Sequence, residues 1–134
     1  MPRPLLYPTD EILDAARSLA LEAGANATTI EEIARASGAP VGSLYHRFGS
    51  RDDLLARLWI RAVRRSQTDF LAAIDRPDPI DGAVSGAMAI LDFCERQRTD
   101  AQLLLSFRRK DLLHAKPSPE LTQAQHRPQL QGLG

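Results

Sequence analysis

Apolar residues recur at helical spacing along most of the chain, and no stretch shows the alternation typical of a strand. Two short segments, 29–37 and 40–48, each place their apolar side chains on one helical face, with a break at Ser37-Gly38-Ala39 between them. The two predicted stripes are Ile30, Ile33 and Ala34, then Val41, Leu44 and Phe48. Two short helices joined by a glycine-containing turn predict a helix-turn-helix.

Capping signals delimit the neighbouring helices. Thr9 is the predicted N-cap of a first helix that ends at Gly24, and Thr29 caps the second with Glu32 at capping-box spacing. Ser50 opens a fourth helix, the longest, which continues to about residue 75. Such a helix is long enough to connect two regions of the protein.

A fifth helix is predicted after Asp78, an N-cap followed by Pro79. Its predicted buried face comprises Ile80, Ala83, Val84, Ala87, Ile90, Leu91 and Cys94. Another face carries small residues, namely Gly82, Ser85, Gly86 and Ala89, so either a neighbour packs closely there or a cavity opens. Thr99 is the predicted start of a sixth helix, and the basic run 108–110 is expected to be a solvated end.

The predicted fold is therefore all-α. Residues 6–66 are predicted to form a first helical domain with its helix-turn-helix at 29–48, and residues 67–116 are predicted to form a second helical domain. A poorly ordered tail occupies 117–134, and residues 1–8, with three prolines, form an irregular arm. The hydrophobic share of 43% and the charged share of 25% are typical of a soluble globular protein.

The charge balance is not typical of a bulk nucleic-acid binder, because 17 basic and 17 acidic residues give a net charge of zero, but it does not exclude nucleic-acid binding. A local basic patch remains available. Cys94 is the single cysteine, so no internal disulfide is expected, as in a reducing cytoplasm, and core packing is its expected role. We find neither an apolar run of membrane-spanning length nor a secretory signal, and we expect a cytoplasmic protein without membrane partners.

The outer face of the second motif helix is rich in groups that can contact DNA. Ser43 can reach a base edge or a phosphate, and Tyr45, His46 and Arg47 can bond phosphate oxygens. Gly42 is a poor helix former, which makes sense where another backbone approaches closely. The alternative is an ordinary surface helix in an αα-hairpin.

The motif resembles the DNA-binding domain of the tetracycline-repressor (TetR) family of transcriptional regulators. The resemblance lies in the patterns T-x-x-x-I-A-x-x-x-G, G-x-L-Y-x-x-F and S-R-x-x-L-L. The matching residues are Thr29, Ile33, Ala34, Gly38, Gly42, Leu44, Tyr45, Phe48, Ser50, Arg51, Leu54 and Leu55. Many matches in fixed register make this signal far more specific than a lone helix-turn-helix.

The resemblance implies a sequence-specific regulator of transcription, a repressor relieved by a small apolar or aromatic effector. It implies that residues 6–66 are the DNA-binding domain and that residues 67–116 are a partial helical regulatory domain. It implies a palindromic double-stranded DNA operator, a homodimer, and further helices that complete the effector pocket and the dimer interface. It also places Arg51 at a phosphate, where the family usually has Lys. The DNA-binding residues predicted from motif and resemblance are Thr29, Pro40, Val41, Gly42, Ser43, Tyr45, His46, Arg47 and Arg51.

Two other classes of function compete with this one. The chain is alternatively an interaction subunit that pairs with a full-length relative and modulates it. Nothing indicates an enzyme: His46, His114 and His126 lack metal-ligand spacing, and nucleophile-elbow and phosphate-loop patterns are missing from the sequence. Asp75, Asp78 and Asp81 are interpreted as helix caps and solvated loop rather than a metal site. We expect no cofactor.

Overall fold

The structure, a computed structural model, describes residues 6–106. Within that range the chain forms helices and no strands, so the all-α prediction is confirmed. The helices are α1 (Thr9–Ala23), α2 (Ile30–Ser37), α3 (Val41–Phe48), α4 (Arg51–Ile74), α5 (Pro79–Arg96) and α6 (Arg98–Ser106), with a 3-10 turn at Ala25–Ala27. None of these helices combines the length and the hydropathy that crossing a bilayer requires.

A single apolar core holds the first four helices together. Ile12 of α1, Ile33 of α2, Leu44 of α3 and Leu58 of α4 are fully buried in one cluster. Leu103 of α6 is buried in the same cluster, so the last described helix packs onto the helix-turn-helix unit. Because α1 braces both motif helices through this core, α3 is held at a fixed angle to the rest of the molecule.

Side-chain capping explains where α2, α4 and α5 begin. The Thr29 hydroxyl accepts from the Glu32 N–H and the Glu32 carboxylate accepts from the Thr29 N–H, which confirms the predicted capping box. The Ser50 hydroxyl accepts from the Asp53 N–H and the Asp78 carboxylate accepts from the Asp81 N–H, so the predicted N-caps of α4 and α5 are confirmed. The predicted N-cap of α1 is wrong. Pro8 takes that position, because its extended backbone directs its carbonyl at the N–H groups of the first turn, and Thr9 is already helical.

The predicted burial of α5 is wrong. The large apolar residues Ile80, Val84 and Leu91 and the thiol of Cys94 are exposed. The face that packs against α4 is the one made of small residues, with Gly82 and Gly86 buried, as the close-packing alternative predicted. Periodicity located the amphipathic helix, but the close approach of α4 decided which face was covered. α6 begins at Arg98, one residue before the predicted Thr99.

The α4–α5 contact gives a prediction about Gly82. A Cβ added at Gly82 would lie 2.9 Å from the backbone carbonyl oxygen of Ile74, too close for either helix to remain in place. Alanine favours a helix interior by about 1 kcal/mol over glycine, but overpacking costs about 1–3 kcal/mol. We expect Gly82→Ala to lower the free energy of unfolding by about 1 kcal/mol net, measured by urea denaturation. Unchanged or increased stability would contradict the close contact.

A charged junction joins α6 to α1 and α4. The carboxylate of Asp100, in the first turn of α6, is fully buried between the guanidinium groups of Arg17 of α1, at 2.7 Å, and Arg65 of α4, at 2.9 Å. Burial raises the pKa of the Asp100 carboxyl, but the hydrogen bonds from Arg65 and Arg17 outweigh this, so the pKa lies below its ordinary value. No local pattern of residues points to this junction.

The predicted domain boundary at 66/67 falls inside the unbroken α4. The domain division stays a prediction. The first five residues of the arm, the basic run 108–110, His114, His126 and the tail 117–134 lie outside the described residues.

Candidate nucleic-acid interface

The turn between α2 and α3 is short and internally bonded. Gly38 adopts a left-handed conformation, with φ of 78°, and its N–H donates to the Ala34 carbonyl at 2.9 Å. The next residue, Ala39, is buried, and its N–H donates to the Ser37 hydroxyl at 3.3 Å. A side chain other than glycine would be strained at position 38, so the turn depends on this residue.

α3 has one buried face and one outward face. Leu44 and Phe48 are buried, as predicted from the stripe. The assignment of Val41 to the same stripe is wrong, since 38% of its surface is exposed. Because Cβ bonds tilt toward the N-terminus of a helix, the first residue of α3 points past the helix end instead of onto the core. Val41 therefore joins the outward face, where the motif also places it among the DNA-binding residues.

The outward face is accessible along the first two turns of α3. Pro40, Gly42, Tyr45 and His46 are exposed, and Ser43 is half-buried. Pro40 is the N-cap of α3, and its carbonyl accepts from the Ser43 N–H at 3.0 Å. A Cβ built on Gly42 meets nothing within 4 Å, so the described chain does not require glycine there for packing. The space above Gly42 is open to a partner.

Thr29 lies exposed at the start of α2. Its hydroxyl oxygen accepts from the Glu32 N–H at 3.2 Å, in the capping box. A hydroxyl has one hydrogen to donate besides its acceptor sites. Thr29 can thus cap α2 and still donate to a phosphate oxygen.

Arg47 fastens α3 to the residues that precede α1. Its Nη1 donates to the Tyr7 carbonyl, and the ring of Tyr7 packs against the core. The same ring lies 3.9 Å from the place where a Cβ of Gly38 would stand. Arg47 therefore couples the start of the chain to the turn and to α3. This contact spans 40 residues of sequence, and nothing local in the sequence points to it.

Arg51 is largely engaged within the protein. Its Nε donates to the Thr28 carbonyl at 2.6 Å, its Nη2 donates to the Ala25 carbonyl, and its Nη1 pairs with Asp52 at 3.0 Å. These contacts tie the 3-10 turn to the start of α4. A guanidinium has five N–H donors, so two remain beyond these three bonds. Contact of Arg51 with a phosphate stays a prediction, and it would use those two donors.

Residues 12–58, which cover the core of the motif and all of α3, match the model of the tetR family of bacterial regulatory proteins. Over these residues the chain is similar to the TetR family. The match begins in α1 and ends in the first half of α4, so it includes the brace, both motif helices and the turn.

The curated relatives to which this chain is similar are transcriptional repressors. The HTH-type transcriptional repressor KstR2 of Rhodococcus jostii (strain RHA1) is 47% identical over 45 residues, which are 34% of this chain and 22% of that protein. KstR2 of Mycobacterium tuberculosis (strain CDC 1551 / Oshkosh) is 35% identical over 68 residues, 46% of this chain and 34% of that protein. The similarity thus spans at most about a third of these repressors.

A solved structure shows the same arrangement of helices. PfmR, a TetR family transcriptional regulator from Thermus thermophilus, superposes with a TM-score of 0.66 at 25% identity. The superposition covers 78% of this chain and 58% of that protein. The superposed 78% is a larger share of the chain than residues 12–58, so the structural likeness extends beyond the helix-turn-helix.

Most other arginines near the motif form contacts within the protein. Arg61 of α4 binds Asp10 and Asp14 of α1, and Arg65 binds Asp100. The guanidinium of Arg57 lies 5.4 Å from the ring centroid of Phe48. Ion pairs therefore hold α1 against α4, and their cations contribute little free positive charge to the outward face of α3.

A polar cleft lies among residues 6–106. It has a volume of about 520 Å³, is open to solvent, and is lined by Asp14, Arg17, Arg65, Thr68, Asp69 and Gln97. A charged, open cleft does not suit an apolar ligand. Among the described residues, no group of three or more His, Cys, Asp or Glu side chains is arranged to hold a metal ion.

Proposed function

We propose that this chain is a sequence-specific DNA-binding regulator of transcription that reads the major groove with α3. The observation that carries the proposal is the outward face of α3, which is accessible and held rigidly by the buried Leu44 and Phe48 and by the Gly38 turn. The similarity of residues 12–58 to a family of bacterial regulatory proteins supports the proposal and favours a non-catalytic role.

The site residues divide by the part of DNA that each would contact. Ser43, half-buried at the centre of the face, is the proposed reader of a base edge. Tyr45, His46 and Thr29 are exposed around it and would bond phosphate oxygens, with Arg47 and Arg51 holding the frame. Pro40, Val41 and Gly42 lie at the N-terminal end of α3, where we propose that a DNA backbone approaches closely.

We further propose that the regulator is a repressor, acting on a palindromic operator and released by a small apolar or aromatic effector. The curated relatives are named as repressors, which supports repression rather than activation. Effector release rests on the family resemblance alone. A pocket for such a ligand would need apolar walls, and the polar cleft between α1 and α4 lacks them.

The exposed apolar face of α5 favours a second candidate, an interaction subunit that pairs with a full-length relative and modulates it. Mixing the two proteins and titrating an operator fragment separates the candidates. Under the first proposal this chain binds operator DNA by itself. Under the second, it changes the relative's binding curve but has no binding curve of its own.

Tyr45→Ala tests the phosphate contact. Because Tyr45 is 46% exposed, its loss should leave the fold intact. A lost phosphate hydrogen bond, worth about 1–1.5 kcal/mol, corresponds to a roughly tenfold weaker affinity for every duplex alike. Fluorescence anisotropy against several unrelated duplexes measures this. A changed sequence preference at unchanged overall affinity would show that Tyr45 reads bases instead.

Ser43→Ala tests base recognition and so the proposal as a whole. We expect selection from a randomised duplex pool to return a defined sequence with the wild-type chain and a relaxed sequence at one or two positions with the variant. Each lost base contact corresponds to about 1–3 kcal/mol of discrimination. The same selected sequence from both proteins would remove Ser43 from the reading site, and failure of the wild-type chain to select any sequence would contradict the proposed function.

A further inference from the structure

Val41 is an exposed aliphatic side chain within the helix-turn-helix. It is 38% exposed, whereas every other large aliphatic side chain of residues 29–48 is buried. In the described part of the chain, Val41 belongs neither to the apolar core nor to the partly buried apolar side chains that pack on it. Packing within the protein therefore does not account for a valine at this position.

The surroundings of Val41 leave its side chain accessible to a partner. Val41 is the first residue of α3, so its Cα–Cβ bond tilts past the end of the helix. Pro40 before it and Gly42 after it are exposed, and a Cβ built on Gly42 meets nothing within 4 Å. The end of α3 that carries Val41 is therefore narrow and open.

The proposed function, on which this inference rests, places Val41 at the base edges. In a helix-turn-helix complex the N-terminal residues of the second helix contact bases in the major groove. Successive residues of a helix project about 100° apart, so Val41 and Ser43 point in different directions and can reach different bases. Gly42 projects between them, so a DNA backbone above Gly42 does not compete with either base contact.

The chemistry of valine selects what it can contact there. Its side chain neither donates nor accepts a hydrogen bond, so against an amino or carbonyl group of a base it would displace water without replacing the lost hydrogen bonds. The major groove presents one apolar group of matching kind, the C5-methyl of thymine. Burying the methyl group against the isopropyl group removes apolar surface of both from water, which is favourable.

We propose that Val41 is a specificity-determining residue that contacts the 5-methyl group of a pyrimidine. The selected DNA sequence should then contain a thymine whose methyl group contributes to affinity, next to the position that Ser43 reads. 5-Methylcytosine carries the same methyl group in the same place, so the contact recognises the methyl group in either base.

Replacing thymine by deoxyuridine tests the contact without altering the protein. Uracil lacks the 5-methyl group but keeps the hydrogen-bonding groups of thymine, so a loss of affinity reports the methyl group. Each thymine of the sequence selected by the wild-type chain is replaced in turn, and fluorescence anisotropy measures the affinity. We expect at least one position at which affinity falls about threefold to fivefold, the effect of one buried methyl group.

Val41→Ala should remove this preference and so identify the residue that makes it. Alanine is too short to reach the methyl group, so the variant should bind the thymine and uracil duplexes equally at that position. Ser43→Ala is the matched control, because it shortens a neighbouring side chain of α3 and should keep the full preference. Since Val41 lies outside the core, thermal denaturation should show Val41→Ala folded as wild type.

Cytosine and 5-methylcytosine at the same position give a second test, because these two bases differ in the methyl group alone. The wild-type chain should bind the methylated duplex about threefold to fivefold more tightly. Val41→Ala should bind both duplexes equally. Equal binding of the two duplexes by the wild-type chain would contradict recognition of the methyl group in either base.

Equal affinity for thymine and uracil at every position would overturn the proposal and indicate that Val41 lies against deoxyribose, which is the same at every nucleotide. A thymine preference that Val41→Ala retains in full would assign the methyl contact to another side chain and would also overturn it. Both results leave the proposed function in place, because the chain still selects a sequence. A wild-type chain that selects no sequence would instead remove the proposed function, and the methyl contact with it.

Discussion

Gly42→Leu is expected to lower affinity for the selected DNA sequence by about 10–100-fold while leaving the fold unchanged. The space above Gly42 is open in the protein, so a leucine there should not disturb the packing of α3. If a DNA backbone occupies that space, the added side chain collides with it, and steric misfits of this kind cost about 1–3 kcal/mol. Anisotropy titration measures the affinity and thermal denaturation measures the fold.

Gly42→Ala separates the effect of residue 42 on folding stability from its effect on DNA affinity. Alanine is the better helix former, by up to about 1 kcal/mol, so the free energy of unfolding should rise. DNA affinity should nevertheless fall, although less than with leucine. Unchanged DNA affinity in both the leucine and the alanine variant would mean that the duplex does not approach α3 at Gly42.

Asp100→Asn is expected to lower the free energy of unfolding by about 2–4 kcal/mol at neutral pH. The substitution leaves Arg17 and Arg65, whose side chains are only 16% and 35% exposed, without their shared counter-charge. Removing one partner of a buried ion pair typically costs about 3–5 kcal/mol, and the partial exposure of the arginines reduces this. Asp69→Asn, which breaks an exposed pair with Arg96, is the control and should lower the free energy of unfolding far less than Asp100→Asn.

The pH dependence follows from the direction of the pKa shift. The pKa of Asp100 is lower in the folded chain than the roughly 3.9 of an unfolded aspartate. Its contribution to stability is therefore fully present above about pH 5 and is lost as pH falls through the folded pKa. The stability difference between wild type and Asp100→Asn should shrink below about pH 4. A difference that is constant down to about pH 2 would show that the carboxylate charge is not what joins α6 to α1 and α4.

Local signals predicted the helix-turn-helix well. Capping depends on residues three apart, so Thr29 with Glu32, Ser50 and Asp78 could be found from the sequence. The Gly38 turn could be found because few other residues adopt its backbone conformation. Leu44 and Phe48 followed from helical spacing alone, since α3 has a single contact face.

The remaining features depend on contacts between distant parts of the chain. Helical spacing shows that α5 is amphipathic. Either its face of large apolar residues or its face of small residues could pack against α4. The close approach of Ile74 and Phe70 of α4 leaves room only for the small residues. The place of Arg47 and Arg51 in the motif predicts two phosphate ligands. Their carbonyl partners at Tyr7, Thr28 and Ala25 lie 23 to 40 positions away, where no sequence pattern marks them.

A salt titration of DNA binding by the purified full chain tests the central claim most directly. The outward face of α3 should bind duplex DNA at low ionic strength and lose affinity as salt rises, because phosphate contacts release counterions. The selected sequence should bind more tightly than a scrambled duplex at every salt concentration, and Tyr45→Ala should lower both curves together. An absence of binding at about 20 mM salt with the wild-type chain folded, or equal binding of selected and scrambled duplexes, would contradict the account.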